Sequence, residues 1–187
     1  MEHGSSSEFS AHQQAMIALW EKHTRCEFED HNADTTMTTM TEAPHLTHVP
    51  TLTGGVGRKE VHAFYAQHFI PKLPADTETE LVTRTVGSDR IVDELIFKFT
   101  HSTEMDFFLP GVAPTGKRVE IPLVAIVQFR DGKIESEHIY WDQASVLVQI
   151  GVLDPVGLPV CGRESAEKIR NPQLPSNRMI ARTKGRA

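Results

Sequence analysis

The sequence predicts an α+β fold in one domain, because helical periodicity fills its first third, period-two strands follow, and too little chain remains for a second core. Of the 187 residues, 39% are hydrophobic and 24% charged, the proportions of a globular rather than a disordered chain. A domain of this size buries roughly 70% of the surface its unfolded chain exposes, so a core forms without disulfide or metal staples.

Ser10 is placed to cap a first helix that runs to Cys26. Ala15, Leu19, Lys22 and Cys26 recur near helical spacing, and Met16, Ile17 and Trp20 widen the apolar stripe. A second, Thr-rich helix over 32–41 is expected to stop before Pro44, which cannot continue the hydrogen-bond ladder. His45 to Thr53 reads as extended and Gly54-Gly55-Val56-Gly57 as a turn. That turn lacks the Lys-Ser/Thr of a phosphate-binding loop, so it reads as the start of a third helix. This helix, from Arg58 to Pro71, carries Val61, Phe64, Tyr65, His68 and Phe69 along one side.

From Glu78 onward the period is two. Strands are expected over 78–86, 91–103, 119–130 and 134–141, with Asp131-Gly132 as a two-residue hairpin turn. A short helix over 142–151 ends on Gly151. Residues 1–9 read as a flexible N-terminus, 10–154 as the domain, and 155–187 as an extended tail with a short helix near Glu164 to Arg170.

Composition narrows the functional classes. The net charge of -6, from 19 basic and 25 acidic residues, argues against nucleic acid, whose phosphates need a basic face. Cys26 and Cys161 form neither a disulfide framework nor a zinc pattern. The start Met1-Glu2-His3-Gly4 has no basic-then-apolar leader, and no apolar run approaches the roughly 18 residues of a membrane span. A cytoplasmic location without membrane or nucleic-acid partners is expected.

Alternation puts Glu135, Glu137, Ile139 and Trp141 on one face of the last strand. If that face looks inward, Glu137 is a carboxylate among apolar walls, where burial makes a carboxyl group a useful proton carrier. Trp20, Tyr65, Phe69, Ile139 and Trp141 are candidate pocket walls, while Asp93, His101 and Asp106 are candidate substrate contacts. The histidine spacings give no metal cluster, because His45 and His48 point oppositely on a strand and His62 and His68 diverge on a helix. Neither metal nor organic cofactor is expected.

Gly111-Val112-Ala113-Pro114-Thr115-Gly116-Lys117, then Phe129-Arg130-Asp131-Gly132-Lys133-Ile134 after a long apolar strand, resembles the SnoaL-like polyketide cyclases of the nuclear transport factor 2-like superfamily. His45-Leu46-Thr47-His48-Val49-Pro50 and the closing stretch from Trp141 to Gly151 add to that likeness, which covers roughly residues 10–153. The resemblance implies a cone-shaped fold, a curved sheet wrapped by helices around a cavity, with cofactor-free aldol chemistry run by a His and an Asp. His48 falls at the family's pocket histidine, which makes it the candidate partner of Glu137 across the pocket. Positions 125, 137 and 139 hold Ala125, Glu137 and Ile139, so the cyclase Asp is absent from its usual place. The expectation is a cofactor-independent cyclase, isomerase or lyase acting on a small apolar carbonyl compound. The alternative is a non-catalytic small-molecule binding module, which Ala125 and Ile139 favour. Ile96, Val124, Ile126 and Tyr140 would make the other sheet face apolar, the face of an expected homodimer.

Overall fold

The computed structural model describes residues 9–184, so the expected flexible N-terminus lies outside the described residues apart from Phe9. Helix α1 (Ala11–Phe28) starts with a capping box: the Ser10 hydroxyl accepts from the Gln13 N–H while the Gln13 side chain accepts from the Ser10 N–H. Its buried face is Met16, Trp20, His23, Cys26 and Glu27. That corrects the expected stripe, since Ala15 and Lys22 are exposed.

The second helix is shorter than expected. α2 (Ala33–Met37) gives way to strand β1 (Met40–His48), which takes in Pro44. β1 pairs in parallel with β6 (Lys133–Trp141), and its register shifts between Met40 and His45. Pro44 occupies that irregularity, where its missing N–H removes no ladder bond. The expected glycine turn is also a strand, β2 (Thr53–Val56), antiparallel to β1. Gly54 has φ +136°, and a Cβ there would stand 2.0 Å from the Leu46 carbonyl oxygen, so only glycine lets the two strands approach.

Helix α3 (Gly57–Phe64) passes into a π-helical turn (Tyr65–Phe69) and a 3-10 turn (Ile70–Lys72). The wider turn sets both Tyr65 and Phe69 into the core, at 0% and 7% exposure. Strands β3 (Glu78–Val86), β4 (Arg90–Thr100) and β5 (Arg118–Arg130) complete a six-stranded sheet of order β2-β1-β6-β5-β4-β3. All pairings are antiparallel except β1 with β6. At the β5–β6 turn Asp131 has φ 51° and Gly132 φ 72°, the double positive φ of a type I′ hairpin.

The concave face of the sheet carries the core. Val119, Ile121, Leu123, Ala125, Val127 and Phe129 alternate inward along β5, all buried. Met105, Phe107, Phe108 and Leu109, in the connection after β4, are at most 1% exposed and close one end. Phe108 stacks on Trp141 with centroids 4.2 Å apart and planes 10° from parallel.

Helix α4 (Gln143–Gln149) is capped by Asp142, and the tail forms α5 (Glu164–Arg170) and α6 (Arg178–Lys184). The helix expected at Glu164 to Arg170 is present, but it is seated on the domain rather than extended away from it. Ala166 is fully buried and the Ser145 hydroxyl donates to the Gly162 carbonyl at 2.8 Å. Arg170 bridges Glu80 on β3 and Glu120 on β5.

Candidate functional site

A cavity of about 180 Å³ lies between the concave sheet face, α1 and the π-helical turn. A single water needs only ~10–15 Å³ on this measure, so a small organic molecule fits. Thr79 and Leu81 on β3 and Thr24 and Phe28 on α1 line its more exposed side. Glu27, Tyr65 and Glu137, at most 4% exposed, line its deep end.

A five-residue polar cluster forms that end. The Nδ1 of His23 lies 2.6 Å from the Thr39 hydroxyl, which itself donates to the Thr36 carbonyl at 2.6 Å. The imidazole is therefore the donor at Nδ1. Its Nε2 lies 3.1 Å from Oε1 of Glu27 and 3.1 Å from Oε1 of Glu137. The Tyr65 hydroxyl oxygen stands 3.2 Å from it as well, with its own proton turned to Glu137, so Nε2 faces acceptor oxygens, carries a proton and makes the ring an imidazolium. Burial opposes that charge, but Glu137 and Glu27 outweigh it and hold the pKa of His23 up to about 10. Tyr65 donates its hydroxyl to Oε1 of Glu137 at 3.0 Å. Burial pushes the Glu27 carboxyl up, against the help it draws from His23. The Tyr65 hydroxyl is likewise pushed well up by burial and then by Glu137.

His48 faces the same cavity in the opposite electrostatic condition. Phe64, Phe69, Phe107 and Trp141 stand around it with ring centroids 5.4–5.8 Å away. Burial, only partly offset by Glu137, lowers its pKa to about 4. Its Nδ1 lies 3.3 Å from the Thr53 hydroxyl, which donates to the Phe107 carbonyl at 2.9 Å. His48 is thus neutral, with its N–H turned to Thr53 and Nε2 left as an acceptor.

Most of the residues singled out from the sequence converge here. Trp20, His48, Tyr65, Phe69, Glu137, Ile139 and Trp141 all line the cavity. Asp93 lines it too, but its carboxylate is spent: Arg84 binds it twice at 2.8 Å and Trp20 Nε1 donates to it at 2.8 Å. It anchors α1 to β4 rather than waiting for a substrate. His101 and Asp106 lie away from the cavity. His101 is fully buried at the end of β4 and its Nδ1 accepts the Thr115 N–H at 3.3 Å, pinning the following connection. Asp106 turns outward to His68 at 3.1 Å and Lys72 at 3.8 Å.

The sequence reading missed His23 and Glu27. Their signal was their spacing from Met16 and Trp20, four, three and four residues in succession, which puts two ionisable groups on the buried face of α1. Together with Glu137 they also bring three ligand-type atoms within 4.8 Å of one another. Spacing could not reveal that group, because its third member comes from β6. The hydrogen-bond pattern satisfies the group with protons.

A curved sheet closed by helices over a deep, acid-floored cavity is the nuclear transport factor 2-like fold. The chain belongs to the SnoaL-like polyketide cyclase family, which matches residues 10–150. No curated protein matches the sequence. Among solved structures, a putative SnoaL-like polyketide cyclase from Jannaschia sp. CCS1 superposes with TM-score 0.61 at 20% identity, over 80% of this chain and 100% of that one. AclR, a putative hydroxylase from Streptomyces galilaeus, gives 0.59 at 18% identity, over 77% and 100%. The epoxide hydrolase/cyclase-like enzyme SalBIII, of pyran ring formation in salinomycin, gives 0.52 at 17%, over 71% and 93%. At these identities the likeness establishes the fold. Among the described residues no helix is long and apolar enough to cross a membrane.

Proposed function

We propose that the protein is a cofactor-independent acid/base enzyme of the cyclase or isomerase type, acting on a small, largely apolar carbonyl compound with Glu137 as base. The observation that carries this reading is the position of Glu137: a carboxylate 2% exposed, at the deep end of an aromatic-walled cavity, held by the Tyr65 hydroxyl. It lies two residues before Ile139, on the same face of β6, and so offers a carboxylate close to where the family's Asp would stand. Glu137 takes a proton from the carbon beside the substrate carbonyl, and Phe69, Phe107 and Trp141 keep bulk water from the resulting enol. Positioned acid/base groups of this kind typically contribute about 10²–10⁴ in rate. Family membership and the cyclase-like neighbours support the reaction class.

Ala125 and Ile139 favour a second reading, a binding module that holds its ligand without turning it over. One experiment separates the two. Untargeted mass spectrometry identifies the ligand retained by the purified protein, and that ligand is incubated with wild type and Glu137→Gln. The enzyme reading expects turnover by wild type alone, whereas tight binding without turnover supports the module.

A further inference from the structure

We infer that Glu27 is a second catalytic residue, an un-ionised carboxylic acid that protonates the substrate oxygen while Glu137 deprotonates carbon, with His23 the positioning residue between them. This inference rests on the acid/base reading of the same cavity.

It follows from a count of charges and donors. Two carboxyl groups from different elements converge on one imidazolium nitrogen, each at 3.1 Å. One cation balances one carboxylate, so the cluster with both ionised would carry an unbalanced buried charge, which is costly. No other group facing it supplies the balance. From β1, His48 is neutral; from β3 and β4, Arg84 and Asp93 neutralise each other; Thr39 and Tyr65 carry no charge. One carboxyl therefore keeps its proton. The one Tyr65 hydroxyl proton is donated to Glu137, so Glu137 is the carboxyl that already accepts a second hydrogen bond. Glu27 is left as the acid, since burial pushes its carboxyl up further than His23 and the nearby Tyr65 draw it down.

The site also needs this donor, because His48 cannot serve. Its one ring proton is turned to Thr53 and its Nε2 only accepts. Among the described residues lining the cavity, the Glu27 carboxyl is the remaining acid at the deep end.

The step balances without a co-reactant. The C–H bond breaks, its proton goes to Glu137, and its electron pair becomes the carbon–carbon double bond of the enol. The carbonyl π pair takes the Glu27 proton, leaving Glu27 as carboxylate and Glu137 as acid. The cluster still holds one proton besides those on His23. In the second half Glu27 recovers the hydroxyl proton and the C=O bond re-forms; where a further double bond is conjugated with the enol, its electron pair takes the Glu137 proton at the far carbon, which completes an allylic isomerisation.

The test reads the resting state of the whole chain first. Infrared spectroscopy at neutral pH should show one un-ionised buried carboxyl in the wild type, absent from both Glu27→Gln and Glu137→Gln. The remaining carboxylate in either variant pairs one to one with the imidazolium. Nitrogen-15 NMR should show both His23 nitrogens protonated at the same pH. These readouts need no substrate and, in the wild type, no variant that folds. Deuterium exchange into 2-acetylnaphthalene then locates the acid: Glu27→Gln should lower the rate by about 10²-fold or more. The wild-type rate should fall where alkaline pH removes the Glu27 proton, and the variant's residual rate should show no such fall. Four results would overturn the inference: no un-ionised carboxyl at neutral pH, a singly protonated His23 ring, a stoichiometric divalent metal in the purified protein, or wild-type exchange retained by a folded Glu27→Gln. If exchange fails in the wild type while both spectra hold, the acid/base reading of the cavity fails and the proton count stands.

Discussion

The hydroxyl of Tyr65 reaches Oε1 of Glu137 across 3.0 Å and ties the π-helical turn to the middle of β6. Neither residue is more than 2% exposed, so this bond is made without competition from water. Tyr65→Phe keeps the ring in place and removes only the donor. Because the acceptor is a charged group, the expected cost is about 1.5–3 kcal/mol, read as a lower urea midpoint at unchanged slope. A midpoint equal to wild type would show that the hydroxyl does not hold Glu137.

His48 gives the fold an acid-side weakness. Its ordinary value of 6.5 falls to about 4 in the folded protein, so the unfolded chain takes up the proton first. Stability is then complete above about pH 6.5 and is lost as pH falls toward 4. The shift of 6.5 − 4 = 2.5 units corresponds to on the order of 3 kcal/mol. His48→Gln carries no titrating group, and its stability should fall less steeply over the same range. Parallel pH curves for the two proteins would remove His48 from the acid response.

The tail after Pro155 reads in the sequence as an appendage, and the structure makes it a strap. Buried Ala166, the Ser145–Gly162 bond and the Arg170 bridge all lie between the domain and residues beyond 155. Truncation after Asp154 should therefore lower the melting temperature rather than leave it unchanged. Ala166→Asp in the full chain should do the same by placing a charge at a fully buried position. Wild-type melting in both variants would mean that the strap is dispensable.

The convex sheet face remains open beside that strap, and homodimerisation there is our proposal for its cover. Val124 and Ile126 on β5 are half-buried and Tyr140 on β6 is 41% exposed. Ile126→Lys should shift the mass in light scattering from dimer to monomer, with the circular dichroism spectrum preserved. A monomeric wild type, or a dimer untouched by the substitution, would place the interface elsewhere or nowhere.

Much of this fold was legible because local signals agreed with one another. Ser10 as a helix cap, the Asp131-Gly132 turn and the period of two from Glu78 onward each specify one backbone geometry, and each is found. What local signals could not show is pairing over distance. β1 lies parallel to β6, some ninety residues later, and Pro44 reads as a helix stop when taken without that partner. The site divides in the same way. Glu137 was legible as an inward position on a strand, and His48 through the likeness of its segment to the family's. His23 and Glu27 acquire meaning only when α1 sets them against β6, and a polar residue on an apolar helix face carries no label saying what it will meet. Asp93 and His101 were expected to contact substrate, but Arg84 and Thr115, which no local signal tied to them, hold them instead.

The most direct test of the central claim is solvent deuterium exchange into the methyl group of 2-acetylnaphthalene, a neutral aromatic ketone of the class proposed. Binding is first established by quenching of Trp20 and Trp141 fluorescence, since both residues line the cavity. Exchange is then followed by mass spectrometry in heavy water at neutral pH. If Glu137 is a base at the deep end of this cavity, the wild type will speed exchange above the buffer rate. Glu137→Gln will bind the ketone comparably and exchange it at the buffer rate, because an amide cannot accept the proton. Equal exchange by the two proteins, or tight binding by the wild type with no exchange above buffer, would contradict the account.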